Sequence, residues 1–412
     1  MDNMKIINAM PEMLSGNELI SALAILPEYD ENIINENIAT RLMALSDLYK
    51  IYVPSKMSLE VYSKLYLALL RSLQKKGTQI STRQQNENNK AIRKQEYSGI
   101  MGGSDSFTII GASGIGKSSA ISRAINLITQ NRIIEIDKPY TKIIPCIVVQ
   151  CPYDSSVKGL LLEILRKVDE SMDSNYYNSA IKARATTDML IGSVSQVALN
   201  HIGLLIVDEI QNVVNSKNGK SLIGSLTQLI NNSGISIAMI GTPESSMFFE
   251  QAFQLARRSL GLQYGAMEYG AEFEALCNIL FSYQFVRNQT EISNSMIEWL
   301  YEHSAGIVSV VVSLIHDAQE ISMLNGRECL DIESLNEAYK KRLSMLHSFI
   351  EPTIKRGKST SKIKQNVELN LQEKIIDSNE VKISELVSTA KSENLNIAEL
   401  LKEYFSIEEV AI

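Results

Sequence analysis

Apolar residues recur at helical spacing in the first part of the chain. Residues 18–25, 33–49 and 59–73 show this spacing, and Pro27 and Pro54 separate them. The pattern predicts an N-terminal helical segment. Such a segment docks either on the domain that follows it or on a partner, and the pattern does not separate the two.

From Ser106 onward, short apolar runs alternate with helical stretches. The runs at residues 107–110, 143–150, 204–207 and 235–240 are rich in Ile and Val, which is typical of strands buried on both faces. Strands that alternate with helices predict an α/β fold with a mostly parallel sheet core.

After residue 288 the pattern is helical again. Helical stretches cover residues 293–303, 307–324 and 332–347, and Asn325 and Gly326 form a turn between the last two. The pattern predicts a C-terminal lid of three helices.

The tail is first basic and then amphipathic. Residues 353–367 contain Lys and Arg but no acidic residue, which fits a solvated tether or, alternatively, contact with a phosphate backbone. The stretches 383–392 and 397–405 predict short helices, which form either a docking module or a layer packed on the lid.

Composition narrows the class of protein. The chain has 412 residues and a net charge of -7, with no run of eighteen apolar residues and no basic-then-apolar start. We therefore expect a cytoplasmic protein that neither spans a membrane nor is secreted by a recognisable signal. The four cysteines show no Cys-x-x-Cys spacing, so neither a zinc site nor a disulfide framework is expected. The negative charge argues against a generally basic surface but allows a local basic patch.

The first chemical motif is a phosphate-binding loop. The string SFTIIGASGIGKSS has Gly111, Gly116, Lys117 and Ser118 in the spacing Gly-x4-Gly-Lys-Ser, which is typical of a P-loop between a strand and a helix. Its backbone amides cradle phosphates, the lysine reaches the β- and γ-phosphates, and the serine hydroxyl binds Mg²⁺. The predicted ATP-binding residues are Gly111, Ala112, Ser113, Gly114, Ile115, Gly116, Lys117, Ser118 and Ser119.

The second motif is a pair of carboxylates. Four apolar residues lead into Asp208 and Glu209, which places both at the carboxyl end of a strand, where α/β sheets bind ligands. We predict that Asp208 supports Mg²⁺ together with Ser118, and that Glu209 orients and deprotonates the attacking water. Nucleotide kinases do not need the second carboxylate, so the pair favours ATP hydrolysis.

Two further sites are open to alternatives. Thr242 follows an apolar strand in the string Ile-Gly-Thr-Pro. It is a sensor of the γ-phosphate if this strand lies between the two motif strands, or else part of a turn that caps the strand. Arg257 and Arg258 lie near a predicted helix end. One of them acts in trans on the nucleotide of a neighbouring subunit, or they make surface salt bridges.

Several strings together resemble a known family, the AAA+ ATPases of the TnsC/TniB group that regulate DNA transposition, with the phage protein MuB as a distant relative. The likeness is carried by residues 150–158, 208–211, 240–243, 256–258 and 304–308, and it extends over about residues 106–347. It implies an AAA+ P-loop NTPase fold. It also implies that ATP-bound subunits assemble as rings or helical filaments on duplex DNA. There they would bridge a target-selection protein to the transposase, and hydrolysis would drive disassembly.

The resemblance also implies where DNA is contacted. In this family the DNA-facing residues usually lie in loops after the second and third strands, and here such loops offer Lys158, Lys182, Arg184, Lys217 and Lys220. Each is alternatively a solvated surface charge. One departure concerns the lid, since no basic residue follows Gly306 in residues 307–313, where AAA+ lids often carry one.

The predicted organisation has five segments. They are an N-terminal helical partner-docking segment (1–76), a polar linker or exposed helix (77–105), an AAA+ core (106–288), a helical lid (289–350), and a basic linker with a docking tail (351–412).

Three other functions share parts of the pattern. A helicase loader or initiator would carry a winged-helix domain, and the tail is short and acidic for one. A STAND-type signalling switch would continue into a long repeat region. A scaffold that holds ATP without hydrolysing it would not need Lys117, Asp208 and Glu209 together.

Overall fold

The computed structural model describes residues 3–93, 95, 106–137, 140–214, 216–246 and 261–344. Their six strands form one sheet in the order β2-β3-β4-β5-β1-β6, in which β2 is antiparallel to β3 and the other neighbours are parallel. The strands are β1 (Phe107–Gly111), β2 (Ile134–Asp137), β3 (Tyr140–Gln150), β4 (Ile202–Asp208), β5 (Ser236–Gly241) and β6 (Leu262–Tyr264).

The four strands predicted from the apolar runs are confirmed as β1, β3, β4 and β5. They are buried on both faces because alternate side chains enter different cores: Leu204 and Ile206 pack on one side of the sheet, and Leu205 and Val207 on the other. The strands β2 and β6 were not predicted. They have four and three residues and are defined by pairing with β3 and β1 rather than by a long apolar run.

Helices cover both faces of the sheet and form the lid. The described α-helices are α1 (Asn3–Asn8), α2 (Gly16–Leu23), α3 (Ile38–Leu45), α4 (Lys56–Lys75), α5 (Gln79–Ile92), α6 (Lys117–Thr129), α7 (Val157–Met172), α8 (Tyr176–Lys182), α9 (Thr187–His201), α10 (Gly219–Ser233), α11 (Ala271–Phe281), α12 (Asn294–Ser304), α13 (Val308–Leu324) and α14 (Ile332–Arg342). One core lies between the sheet and α7, α9 and α10, and a second lies between the sheet and α1, α2, α4 and α6.

The N-terminal helices serve two different cores. The helices α1, α2 and α4 pack on the sheet, whereas Leu45 and Leu48 belong to the core of the lid. The single helix predicted at residues 33–49 is wrong. The chain forms a 3-10 turn at Glu31–Asn35, then α3, then a second 3-10 turn at Ser46–Lys50. The break has a local cause, because the Asn37 side chain caps α3 by accepting from the backbone N–H of Thr40 at 3.0 Å.

Residues 77–105 were predicted to form either a linker or an exposed helix. In the part that the structure describes, residues 79–92 form the helix α5. One side of α5 is buried although it is polar: the carboxamide of Asn88 donates to the carbonyl of Asn232 at 3.1 Å, and Gln85 donates to Asn200 at 2.5 Å. These hydrogen bonds take the place of an apolar stripe. The low apolar content suggested a linker or an exposed helix, but α5 is half-buried.

The three predicted lid helices are confirmed as α12, α13 and α14, with α11 packed beside them. The turn between α13 and α14 contains Gly326 with φ +71, as predicted. The basic linker and the tail helices lie outside the described residues, as does the end of the third helix beyond residue 344. No single described helix is long and apolar enough to cross a bilayer; α12 and α13 meet that test only as a pair bent by 120°.

Candidate nucleotide-binding site

The P-loop connects β1 to α6 at the carboxyl edge of the sheet. Its tight path depends on Gly114 and Gly116, whose φ values of +81 and +96 lie in the left-handed region that glycine adopts without strain. Because α6 begins at Lys117, directly after Gly116, the amides of its first turn have no partner within the helix and face the loop. This is the local geometry that binds phosphate.

Lys117 lies across the loop that precedes it. Its Nζ donates to the carbonyl oxygens of Gly111 at 2.6 Å and Ala112 at 2.7 Å. Burial lowers the pKa of Lys117 from its ordinary value, while the nearby carboxylates of Asp208 and Glu209 act in the opposite direction. The ammonium therefore contacts the loop and lies within the electrostatic influence of Asp208, Glu209 and Glu244.

The carboxylate pair stands where the sequence placed it, at the end of β4. The backbone N–H of Glu209 donates to Oδ1 of Asp208 at 2.8 Å, and Glu209 is exposed with φ +55. A left-handed conformation is uncommon for a residue with a side chain. Here it turns the chain sharply after Asp208, the last residue of β4, so Glu209 does not continue the alternation of the strand.

Thr242 lies between the two motifs, as the sensor interpretation required. β5 pairs with β1 on one side and with β4 on the other, so its end at Gly241 adjoins both the P-loop and Asp208. Oγ1 of Thr242 is buried and makes no hydrogen bond of normal geometry among the described residues, although its hydroxyl lies close enough to the Glu244 carboxylate to lower the pKa of that group. A buried hydroxyl without a partner is costly, which indicates a site shaped for a polar ligand.

These elements enclose a cavity of about 310 Å³. It is lined by Ser113, Gly114, Gly116, Lys117, Ser118, Ser119, Asp208, Glu209, Gln211, Gly241, Thr242 and Ser309. The Lys117 ammonium, the free amides at the start of α6 and the Thr242 hydroxyl are groups that bind a polyphosphate. The Ser118 hydroxyl and the Asp208 carboxylate are oxygen ligands of the kind that Mg²⁺ prefers.

Three of the lining residues, Gln211, Gly241 and Ser309, were not among the predicted site residues, although the strings that carry the resemblance include Gln211 and Gly241. Ser309 belongs to the lid, and its backbone N–H donates to the carbonyl of Gly114 at 3.0 Å. It lies in the lid stretch that carries no basic residue, so among the described lining residues Lys117 is the only cation. No motif marks Ser309, because its place depends on how the lid packs on the P-loop.

A second cavity, of about 240 Å³, adjoins the first and was also not predicted. It shares Gly114, Gly116, Ser119 and Ser309 with the first cavity. Its other walls are more apolar and come from three separate parts of the chain: Tyr49, Ile51, Tyr52, Val53 and Met57 before α4 and at its start, Ile115 in the P-loop, and Met267, Leu276, Leu280, Val308 and Val312 around the lid. An apolar slot beside a phosphate site suits a planar base.

The predicted DNA-facing residues divide into two groups. Lys158, Lys217 and Lys220 are exposed and lie near the loops after β3 and β4. These loops are joined, since Ser216 Oγ and Asn218 Nδ2 donate to the carbonyl of Asp154 at 2.9 and 3.1 Å.

Lys182 and Arg184 are also exposed but belong to the end of α8 and the turn after it. The predicted trans-acting arginines, Arg257 and Arg258, lie outside the described residues.

Comparison with known proteins gives one family. Residues 101–262 match the family model described as the bacterial TniB protein. No curated protein sequence matches the chain.

Among solved structures, the chain is similar to the Aeropyrum pernix ORC1 protein in complex with DNA, with 15% identity, 80% of this chain and 78% of that chain covered, and a TM-score of 0.41. It is also similar to the Aeropyrum pernix ORC2 protein, with 14% identity, 91% of this chain and 82% of that chain covered, and a TM-score of 0.41. A third similar structure is domain III of the Thermotoga maritima replication initiation protein DnaA, with 13% identity, 67% of this chain and 94% of that chain covered, and a TM-score of 0.35.

The fold follows from the chain's own topology. A P-loop after β1, a parallel sheet in which β5 lies between β1 and β4, and a helical lid in contact with the P-loop constitute the AAA+ architecture. The TniB match covers the P-loop, the carboxylate pair and Thr242. The chain therefore has the AAA+ fold, and its residues 101–262 match the TniB family model, in agreement with the resemblance.

Proposed function

We propose that the protein is an ATP-dependent regulator of DNA transposition that assembles on duplex DNA when ATP is bound and disassembles on hydrolysis. The observation that carries the proposal is the convergence of Lys117, Asp208 and Thr242 on one cavity within the TniB segment. In the assembled state it would bridge a target-selection protein to the transposase.

The chemistry proposed for the cavity is hydrolysis of the γ-phosphate of ATP. Lys117 leaves its two loop carbonyls and binds the β- and γ-phosphates, and the Thr242 hydroxyl finds its missing partner on the γ-phosphate. Glu209 takes a proton from the attacking water. Mg²⁺, held by Ser118 and Asp208, would neutralise phosphate charge.

The neighbouring apolar cavity is the proposed site of the adenine base. It opens beside Gly114 and Ser119, at the end of the P-loop from which a nucleoside would extend. Because one wall comes from residues 49–57 and another from the lid, bound nucleotide would hold the N-terminal segment and the lid together.

We further propose that the site is completed by a second copy of the chain. The described lining carries one cation, Lys117, beside the two carboxylates Asp208 and Glu209. The transition state of phosphoryl transfer needs more positive charge than this. Arg257 or Arg258 of a neighbouring subunit would supply it, which makes turnover depend on assembly.

Duplex DNA is the proposed ligand of the joined loops after β3 and β4. Lys158, Lys217 and Lys220 are exposed cations, and no ion pair engages them among the described residues. Such residues contact phosphates without reading bases. Lys182 and Arg184 remain candidates for a separate contact on α8.

The proposal is tested by negative-stain imaging of the full chain with and without duplex DNA, in the presence of Mg²⁺ and a non-hydrolysable ATP analogue. Rings or filaments that require both DNA and nucleotide are expected. Lys117→Ala should abolish assembly, whereas Glu209→Gln should assemble with ATP and fail to turn it over. Particles that stay monomeric, or that assemble equally well in the Lys117→Ala variant, would contradict the proposal.

A further inference from the structure

The helix α5 packs through a polar side. Its buried residues, Ser81, Gln84, Asn88 and Ala91, recur at intervals of three and four positions and so form one stripe along the helix. Three of the four are polar, and the fourth is an alanine, whereas Ile80 of the same helix is 51% exposed. Burial of apolar surface, which holds α4 and α9 to the sheet, therefore contributes little to holding α5 in place.

Hydrogen bonds of side chains hold α5 instead. Nδ2 of Asn88 donates to the carbonyl of Asn232 in α10 at 3.1 Å, and Nε2 of Gln85 donates to Oδ1 of Asn200 in α9 at 2.5 Å. The helix thus ties α9, which precedes β4, to α10, which follows β4. Water can replace each of these bonds when α5 moves away, so their net contribution to the closed position is small.

The surface beneath α5 is not fully satisfied by the helix. Gln196 lies one turn from both Gly192 and Asn200, and hence on the side of α9 that faces α5. Its Oε1 is buried and has no hydrogen-bond partner among the described residues, and the same is true of Nδ2 of Asn232. Water supplies partners to polar groups that α5 covers once the helix leaves, which lowers the free energy of opening.

The two helices approach each other closely at Gly192. A Cβ on this residue would lie 3.1 Å from Cβ of Ala91 and 3.1 Å from the backbone nitrogen of Ile92. Glycine inside a helix is less favourable than alanine, so the room that it leaves for α5 gives it a structural reason within α9. The glycine permits the closed position without adding apolar area to it.

The chain just before α5 is firmly held. Leu73 of α4 is buried in the core on the sheet, and Nζ of Lys76 donates to the carbonyls of Ala198 and Leu199 at the end of α9. Next to this anchor, Gly77 is exposed and has φ +69, which glycine adopts without strain. Gly77 is therefore the point about which α5 can turn while α4 stays in place.

We propose that α5 is a strap that opens from α9 and α10 as a unit, about Gly77, while α4 and the sheet stay folded. The tie between the helices on either side of β4 is then made and released without unfolding of the domain. Segments that bury little apolar area open with a lower free energy than the core of a protein. The inference does not rest on the proposed function, because it concerns the protein without nucleotide or DNA.

Hydrogen exchange of the full chain without ligands, measured at several low urea concentrations, tests the strap. A released helix of 14 residues is marginal in water, so the amides of residues 79–92 should exchange about a hundredfold faster than those of residues 59–73 in α4. Their rates should hardly depend on urea, because opening of α5 exposes little surface. Rates that equal those of α4 and rise as steeply with urea would mean that α5 opens only when the domain unfolds, which overturns the inference.

Two adjacent asparagines of α5 provide a matched pair of variants. Asn88→Ala and Asn89→Ala change helix propensity alike, but Asn88 is fully buried and Asn89 is exposed. Asn88→Ala removes the bond to α10 and should speed exchange of residues 79–92 about fivefold relative to Asn89→Ala, with exchange in α4 unchanged. Equal exchange of α5 in the two variants overturns the inference.

Gly192→Ala separates opening of the strap from loss of stability. The added Cβ crowds Ala91 and the backbone of Ile92 and should speed exchange of residues 79–92 about tenfold. Alanine is at the same time the better helix former, so exchange in α4 should not become faster. A variant in which α4 and α5 exchange faster by the same factor has lost global stability instead, and this result contradicts a strap that opens on its own.

Discussion

The backbone N–H of Ser309 donates to the carbonyl of Gly114 at 3.0 Å, so the lid contacts the P-loop directly. A ligand that moves the P-loop moves the start of α13 with it. Since both residues line both cavities, the position of the lid and the occupancy of the site are linked.

Gly114→Ala should disrupt this contact. The residue has φ +81, and an added Cβ would lie 2.3 Å from Oγ of Ser309, so the variant is strained in its backbone and crowded against the lid. We expect affinity for a fluorescent ATP analogue to fall by about tenfold or more.

The matched control is Gly224→Ala, an exposed glycine of α10 with nothing within 4 Å of an added Cβ. It should bind nucleotide normally and be slightly more stable. Equal nucleotide affinity in the two variants would show that the contact between Gly114 and Ser309 has no role in binding.

A partly buried ion pair joins the N-terminal segment to the lid. Arg41 is 1% exposed, and its two terminal nitrogens each lie 2.6 Å from an oxygen of Glu328. Arg41→Met leaves the half-buried carboxylate of Glu328 with only the backbone N–H of Arg287 as a partner and should lower the free energy of unfolding by about 2–4 kcal/mol.

Urea denaturation measures this change. The double variant Arg41→Met with Glu328→Leu should recover part of the loss, because it removes both charges. Lys50→Met removes an exposed ion pair with Asp47 and should change the free energy by less than about 1 kcal/mol. A loss no greater in Arg41→Met than in Lys50→Met would contradict the expectation.

Lys76 should make stability depend on pH. Its ammonium is buried beneath the end of α9, where Nζ donates to the carbonyls of Ala198 and Leu199 at 2.8 and 2.9 Å. Burial lowers the pKa of Lys76 to about 7. Between this value and the unfolded value of about 10.4, the unfolded chain binds more protons than the folded chain, so stability rises with pH across this window.

The measurement is the free energy of unfolding of the wild type and of Lys76→Met at pH 7 and pH 9. Relative to the variant, the wild type should gain about 1–2 kcal/mol between these values. Lys56→Met, at an exposed lysine, should keep the wild-type dependence. If the wild type and Lys76→Met respond equally to pH, Lys76 keeps its ordinary pKa.

The basic loops should set the salt dependence of DNA binding. Lys158→Ala and Lys217→Ala should each weaken binding of any duplex sequence and lower the slope of log affinity against log salt by about 1. Fluorescence anisotropy at several salt concentrations gives the slope. Lys50→Ala, outside the loops, is the control, and an unchanged slope in both loop variants would place the DNA elsewhere.

The local features of the site were predictable from the sequence because they depend on short stretches of chain. A P-loop requires glycines and a lysine at given spacings. The apolar run of β4 ends at Val207 and is followed directly by Asp208 and Glu209, which places both carboxylates at the end of the strand. The place of Thr242 beside the two motifs was predictable only as a condition, because the sequence does not show that its strand lies between the two motif strands; the strand order does. Strand bounds were predictable where both faces are buried, and they were not for β2 and β6.

The contacts between distant segments were decided by the tertiary structure alone. Ser309 reaches the P-loop, Arg41 reaches Glu328 across 287 positions, and Tyr49 forms a wall of the second cavity. Each of these contacts depends on how the lid packs. Packing involves whole surfaces, and a single serine, arginine or tyrosine forms no sequence motif that would predict its partner. The sequence by itself determined the chemistry of the cavity, because that chemistry lies within runs of a few residues. Which residues enclose it depended on how the N-terminal segment and the lid close around the sheet.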